Sequence, residues 1–384
     1  MEFARSERST VGLEWELALV DADTGDLRQV APAVIDALAV GGERRPHIAP
    51  EFLRNTLEVV SGVHRTVPDA VVDLERAIGE VRTVTDAMRV ELMCAGTHPF
   101  AQWSEQKVTD KQRYTTVIDR TQVWGRQLLI YGVHVHVGIE DRAKVLPIVN
   151  ALLAYLPHLQ ALSASSPYFG GADTGYASMR ALLFQQIPAA GVPYQFETWQ
   201  DLEHYVHDMT KTGVIDDFSE VRWDVRPAPR FGTLEVRVCD GTSNVAELAA
   251  LGALVHCLVE HLSTALDDGR ELPTTQPPWF VHENKWRAAR YGLDAIIILD
   301  ADGNEALVTD AVAKLLLELE PVAERLGCRA ELAGVRDIVR NGASYQRQRA
   351  VAAAAQGDTR TRLEAVVGSL VAELRAGRPL PPPG

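Results

Sequence analysis

The sequence predicts an α+β fold, in which a sheet packs one apolar face on helices and turns an ionisable face toward a ligand. Three stretches carry that prediction. In Val11-Gly-Leu-Glu-Trp-Glu-Leu-Ala-Leu-Val20, Leu13, Trp15 and Leu17 alternate with Glu14 and Glu16. In Tyr131-Gly-Val-His-Val-His-Val-Gly-Ile139, three valines alternate with His134 and His136. In the second half of Val221-Arg-Trp-Asp-Val-Arg-Pro-Ala-Pro-Arg-Phe-Gly-Thr-Leu-Glu-Val-Arg-Val-Cys-Asp240, Leu234, Val236 and Val238 alternate with Glu235, Arg237 and Cys239. Strand side chains point to opposite faces with period two, so each stretch has one apolar and one ionisable side.

Taken in order, the first strand ends in the turn-rich Asp21-Ala-Asp-Thr-Gly-Asp26, and a short helix is expected over 31–39. Asn55-Thr-Leu-Glu-Val-Val60 reads as a second acidic strand, with Glu58 opposite Leu57 and Val59. Thr66-Val-Pro-Asp69 starts a helix, because proline suits the first turn and Val71, Leu74, Ile78 and Val81 follow at helical spacing. Glu91–Gly96 returns as a strand. Polar residues 104–116 read as a loop, where His98 just before it and Arg113 within it are ligand-contact candidates. After the histidine strand, residues 144–162 read as one apolar helix with Pro157 near its end. Ala164–Arg180 is too rich in hydroxyls and glycine for core and reads as a functional loop. Helices are expected over 199–212 and, from an Asn244/Glu247 start, over 245–266. In the segment before the last strand, Arg222, Asp224 and Arg226 are expected to share one face. The stretch 281–293 reads as a helix end facing the site or an interface. Helices are then expected over 305–326, 330–341, 345–354 and 359–376. Residues 1–300 form the expected sheet-and-helix core, 301–376 its helical C-terminal part, and 377–384 a disordered tail.

Composition narrows the function. A formal net charge of −14 argues against nucleic acid as the partner, because phosphate backbones need a clustered basic surface. Four separated cysteines without a CxxC pair indicate neither a disulfide scaffold nor a zinc–thiolate site. The N-terminus has no apolar signal-peptide core, and no uncharged run is long enough to span a bilayer, so a cytoplasmic chain without membrane contact is expected. No P-loop, GxGxxG fingerprint or GxSxG elbow is present.

The ionisable face collects Glu14, Glu16, Glu58, His134, His136 and Glu235 beside Arg226 and Arg237. Unpaired charges cannot sit in dry core. Carboxylates with imidazole and no thiolate suit Mg²⁺, with Mn²⁺ as the alternative. Metal-binding carboxylates beside arginines suit a polyphosphate such as ATP.

These motifs carry a resemblance. Gly12-x-Glu14-x-Glu16, His134-x-His136, Trp223-Asp224-x-Arg226-Pro227 and Glu235-x-Arg237 resemble those of the type 2 glutamate–cysteine ligases, the ATP-dependent carboxylate-amine ligases of the glutamine synthetase-like superfamily. Gly96-Thr-His-Pro99, Ala164-Ser-Ser-Pro167 with Thr174-Gly-Tyr176, and Glu283-Asn-Lys-Trp-Arg287 with Arg290-Tyr-Gly292 extend the match across nearly the whole chain. The resemblance implies a mainly antiparallel sheet curved into a funnel with helices outside. It implies metal ligands at Glu14, Glu16, Glu58, His134 and Glu235, and ATP contacts at His136, Arg226 and Arg237. It makes Arg226, Arg230 and Arg237 candidates to stabilise a transferring phosphoryl group. Arg180, Ser165, Thr174 and Tyr176 become substrate-binding candidates. The implied reaction passes the γ-phosphoryl of ATP to the side-chain carboxylate of glutamate, after which the amine of cysteine displaces phosphate. Small-molecule substrates and a homo-oligomer are expected. The competing reading is a metal-dependent amidohydrolase that uses the His-x-His strand on a barrel of alternating strands and helices; a third is a non-catalytic binding protein on the same scaffold.

Overall fold

The structure, a computed structural model, describes residues 1–273 and 276–381. Seven strands form one sheet. Numbered along the chain, they are β1 (Val11–Asp21), β2 (Ile48–Pro50), β3 (Thr56–Val60), β4 (Val90–Met93), β5 (Val133–Gly138), β6 (Val225–Ala228) and β7 (Thr233–Val236). The order is β6-β7-β5-β1-β3-β2, and β4 pairs with the second half of β1. Every pairing in this sheet is antiparallel. That topology removes the parallel barrel on which the amidohydrolase alternative depended.

One face of the sheet is dry. Leu13, Trp15, Leu17, Leu57, Val59, Val133, Val135, Val137 and Leu234 are fully buried. They pack against the helices Val67–Thr85 and Val245–Asp267. Gly252 lets the second helix approach closely, since a Cβ there would stand 3.2 Å from Leu13 Cδ2. Thr66 caps the first helix by accepting from Asp69 N–H, and Asn244 caps the second by accepting from Glu247 N–H, as the sequence signals predict. Val245–Asp267 is long and apolar enough to cross a membrane by length and composition, but most of it is buried inside the protein. The helices Val308–Arg325, Arg329–Asn341, Ser344–Ala354 and Thr359–Ala376 complete the outer layer. The segment read as a disordered tail begins tied down: the Gly377 carbonyl accepts from Ala246 N–H, and Leu380 N–H donates to Glu373. Residues 382–384 of that segment lie outside the described residues.

Several local expectations change. Residues 104–116 are not all loop, because Gln112–Thr121 is a helix. The apolar helix over 144–162 is two helices, Arg142–Leu152 and Leu156–Ser163, bent by 63°. Pro157 sits in the first turn of the second, where its missing N–H costs nothing. A hairpin, Ile296–Ile298 with Glu305–Leu307, turns through Asp300-Ala-Asp-Gly-Asn304 ahead of the C-terminal helices.

Arg222, Asp224 and Arg226 do not share one face. Arg222–Trp223 pairs with Ala190–Gly191 in a separate two-stranded ladder, and the chain joins the main sheet only at Val225. The break turns Asp224 away from the two arginines, toward Lys285 on the helix Pro278–Tyr291, at Oδ2–Nζ 2.6 Å. Both groups are buried. The same helix is fixed by Asn284, which exchanges two hydrogen bonds with the Ile298 backbone. The Trp-Asp-x-Arg-Pro and Glu-Asn-Lys-Trp-Arg motifs are thus the two halves of one clamp. Lys285→Met leaves a buried carboxylate without its cation and should lower unfolding free energy by ~3–5 kcal/mol in urea titrations. Adding Asp224→Leu should recover much of the loss, whereas equal losses in both variants would mean that the pair is not the cause.

Candidate active site

The face opposite the dry core borders a cavity of about 300 Å³. Strand register assembles it. Glu14 lies opposite His134, Glu16 opposite Glu58, and Glu235 opposite both His136 and Arg226. Cross-strand partners point to the same side, so these residues and Arg237 line one wall. Arg180 reaches the cavity from the start of the helix Met179–Phe184.

Near β6 and β7 the charges are matched. Glu235 accepts from Arg226 Nε at 2.7 Å and from Arg237 Nη1. Burial opposes its charge, but Arg237 and Arg226 outweigh that and hold its carboxyl well below the usual range. Glu14 lies 2.8 Å from His134 Nδ1 and 3.2 Å from His136 Nε2. Burial opposes its ionisation too, and the two imidazoles reverse the effect. His134 is pushed down to about 4, first by burial and then by Arg237. His136 moves up although burial works against its charge, because Glu14 and Glu235 flank it.

Near β1, β2 and β3 the charges are not matched. Glu16, Glu51 and Glu58 converge with carboxylate oxygens within 4.8 Å of one another. Burial, then the neighbouring carboxylate of Glu51, pushes Glu16 up to about 8. Glu58 is raised well above the carboxylate range, through burial and then Glu14, Glu51 and Glu16, and burial also raises Glu51. Two more triads have donor atoms within the same 4.8 Å: Glu14, Glu58 and His134, and Glu14, His136 and Glu235. Oxygen-rich triads of this kind have the donor chemistry of hard divalent cations. Each histidine belongs to one triad, so proximity alone does not divide them into a metal ligand and a phosphate neighbour.

Guanidinium groups face this wall. Arg222 is pulled down to about 10 by burial and then by Arg237 and Arg226, a sign of unmatched positive charge. Arg180 Nε and Arg237 Nε are buried and have no hydrogen-bond partner among the described residues. Such orphaned donors beside a cavity fit an anionic ligand.

The sequence reading missed three parts of the wall. Glu51 follows the three-residue β2, too short for a visible alternation; only the Ala49–Glu58 register puts it on this face. Tyr114 lines the cavity together with Arg113, which the sequence offers as a ligand-contact candidate on an expected loop. Arg113 donates to Tyr114 Oη at 2.7 Å from a helix that the polar sequence concealed. Arg222 was noted but given no role.

Four predicted site residues lie elsewhere. Arg230 is exposed at the β6–β7 turn and lines a separate recess with Glu2, Phe3 and Arg142. Ser165 is fully buried and joins Gly96 N–H to the Gly241 carbonyl. Thr174 donates to the Pro167 carbonyl, and the Tyr176 ring lies under the Arg290 guanidinium. None of the four lines the cavity. His98 is also structural: Nδ1 accepts from Phe100 and Ala101 N–H, and Nε2 donates to the Gly25 carbonyl.

Comparison with known proteins gives this geometry a family. The model of glutamate-cysteine ligase family 2 matches residues 10–367. A protein of Leifsonia xyli subsp. xyli named "Putative glutamate--cysteine ligase 2" is 59% identical over 98% of this chain and 99% of its own. One of the same name from Mycobacterium ulcerans is 59% identical over 97% of this chain and 93% of its own. Among solved structures, a glutamate–cysteine ligase from Francisella tularensis in complex with AMP superposes with a TM-score of 0.68. It shares 14% identity over 98% of this chain and 90% of that one. A bifunctional glutathione synthetase from Pasteurella multocida gives 0.62 at 15% identity, over 95% of this chain and 52% of that one. These two likenesses show a shared fold. With the full-length family match and the 59% relatives, the chain belongs to glutamate-cysteine ligase family 2.

Proposed function

We propose that this protein joins a carboxylic acid to an amine at the expense of ATP, taking the γ-carboxylate of L-glutamate and the amine of L-cysteine. One observation carries the reading: a single wall holds an unmatched carboxylate cluster at one end and arginine-bound Glu235 at the other, with partnerless Nε donors of Arg180 and Arg237 beside them among the described residues. That is a site for cations and a polyphosphate together.

The chemistry runs in two steps. A carboxylate oxygen of the acid attacks the γ-phosphorus of ATP, the bond to the β-phosphate oxygen breaks, and ADP leaves. The amine nitrogen then attacks the acyl carbon, inorganic phosphate departs and the nitrogen loses a proton, leaving an amide. Divalent cations, Mg²⁺ first, would be held by Glu14, Glu16, Glu51, Glu58, His134 and Glu235, and would neutralise phosphate charge as Lewis acids. Arg237 and Arg226, fixed by Glu235, present positive charge to the transferring phosphoryl group. Arg180, whose guanidinium also donates to the Arg237 carbonyl at 3.3 Å, faces the acid.

ATP consumption is the direct test. ADP and phosphate should form only with Mg²⁺, an acid and an amine all present. If ATP is neither bound nor consumed with glutamate and a panel of amines, the reading is lost; amide hydrolysis without ATP would favour the hydrolase. Glu235→Gln removes the countercharge of two arginines and a donor of one triad. It should cut turnover by ~10²-fold or more while circular dichroism stays that of the parent. Normal turnover would remove Glu235 from the site.

The carboxylate cluster also predicts how stability responds to pH and metal. Glu16, Glu51 and Glu58 have folded-state pKa values above those of the unfolded chain. Below the unfolded value of about 4.3 each is protonated in both states and imposes no penalty. As pH rises toward about 8, where Glu16 ionises in the fold, the unfolded chain releases protons that the fold retains, and stability falls. A cation that displaces those protons restores it. Mg²⁺ added to EDTA-treated protein should therefore raise Tm more at about pH 8 than at about pH 5.5. Equal shifts at the two values would contradict the cluster's assignment to the metal.

A further inference from the structure

We propose that Phe231, at the tip of the β6–β7 hairpin, is the platform on which the nucleotide's purine base stacks, an inference that rests on the ATP-dependent reading above.

Phe231 is 59% exposed, yet it forms part of the cavity wall. Of the four phenyl and phenol rings lining the cavity, Tyr114 and Phe184 are buried and Phe52 is half-buried; Phe231 alone is exposed. Leaving an apolar ring in water forfeits its burial energy, and this turn is not loose enough to hide it. Phe231 and Gly232 N–H both donate to the Ala228 carbonyl, at 3.0 and 3.1 Å. Ala4 N–H donates to the Pro229 carbonyl at 2.8 Å, and Ile139 N–H to the Gly232 carbonyl at 3.0 Å. Gly232 has φ +67°, and any side chain there would collide with the Ala4 carbonyl, so the turn is seated directly on the N-terminal segment. The ring is held in the open.

Its neighbours set what it can hold. The His136 imidazole stands edge-to-face at 5.8 Å and 88°. His136 Nε2 in turn is 3.2 Å from Glu14 and 3.9 Å from Glu235. Phe231 therefore stands one side chain outward from the wall proposed to hold the cations and the polyphosphate. A triphosphate anchored at that cluster sends its nucleoside toward the mouth, where this ring is. The Arg230 guanidinium lies 5.8 Å from the ring centroid and adds a cation beside the same surface. This also accounts for Arg230, which the sequence placed among the phosphoryl-transfer groups: it belongs to the rim. A flat apolar ring with a guanidinium at its side is the pairing on which bases stack, through their π-faces rather than their hydrogen-bonding edges.

The test is calorimetric titration, with Mg²⁺ present, of the parent protein, Phe231→Ala and Phe231→Trp with ATP and with inorganic tripolyphosphate, which has no base. Phe231→Ala should weaken ATP binding about tenfold and leave tripolyphosphate binding unchanged, and Phe231→Trp should retain parental ATP affinity. The side chain is exposed, so both variants should keep the parental Tm. Parental ATP affinity in Phe231→Ala overturns the platform, as does an equal loss for both ligands, which would mean a disturbed phosphate wall. A parent protein that binds no ATP fails differently, since it removes the ligase reading and the platform falls with it.

Discussion

Charge repulsion on the inner face of the sheet is the constraint on which this structure depends. Five carboxylates, of Glu14, Glu16, Glu51, Glu58 and Glu235, line a cavity of about 300 Å³. At the β6–β7 end the fold supplies their partners: Arg226 and Arg237 hold Glu235, and two imidazoles hold Glu14. At the β1–β3 end it supplies none of comparable strength, and burial with mutual repulsion raises the carboxyls of Glu16, Glu51 and Glu58. Carboxylates perturbed in this way cluster at functional sites. The asymmetry also orders the cavity, since cations are favoured at one end and anions at the guanidinium groups facing the other.

Precision in that arrangement comes from outside the cavity. Asp224 and Lys285 clamp the segment that presents Arg222 and Arg226. Asp240 does the corresponding work for Arg180. Its buried carboxylate accepts from Ser166 Oγ, Ser178 Oγ and Ser165 N–H. Ser166 Oγ in turn accepts from Arg180 N–H at 3.0 Å. The hydroxyl-rich loop over 164–180 is thus tied to the cavity wall through Arg180. The hydroxyls of Ser166 and Ser178 seat a buried carboxyl, which would otherwise cost several kcal/mol.

Legibility in the sequence follows from this division. Period-two alternation exposed Glu14, Glu16, Glu58, His134, His136, Glu235 and Arg237, because each lies on a strand whose other face is dry. The antiparallel funnel came through the family motifs, since alternation fixes faces but not strand order. Glu51 was invisible because the strand it follows is only three residues long, and Tyr114 because a polar helix resembles a loop. Ser165, Thr174 and Tyr176 stand outside the cavity wall because a motif residue that fixes backbone or another side chain is as recognisable in sequence as one that touches a ligand. Asp224 misled through geometry, because a strand break between Trp223 and Val225 ends the alternation on which its face was inferred.

The two histidines show what only tertiary surroundings supply. On β5 they share a face and are indistinguishable by spacing. Their neighbours separate them. His134 is fully enclosed and has the Arg237 guanidinium 3.4 Å from Nδ1, so burial and a cation both favour the neutral ring. A neutral imidazole offers a lone pair, the form in which histidine binds metal. His136 lies between Glu14 and Glu235 with Nδ1 2.9 Å from Thr233 Oγ1, and those carboxylates favour the charged ring. An imidazolium has only donors to offer, which suits an anion. The same strand face thus carries two imidazoles biased in opposite directions, and the difference is written in the residues across from it rather than in the strand itself.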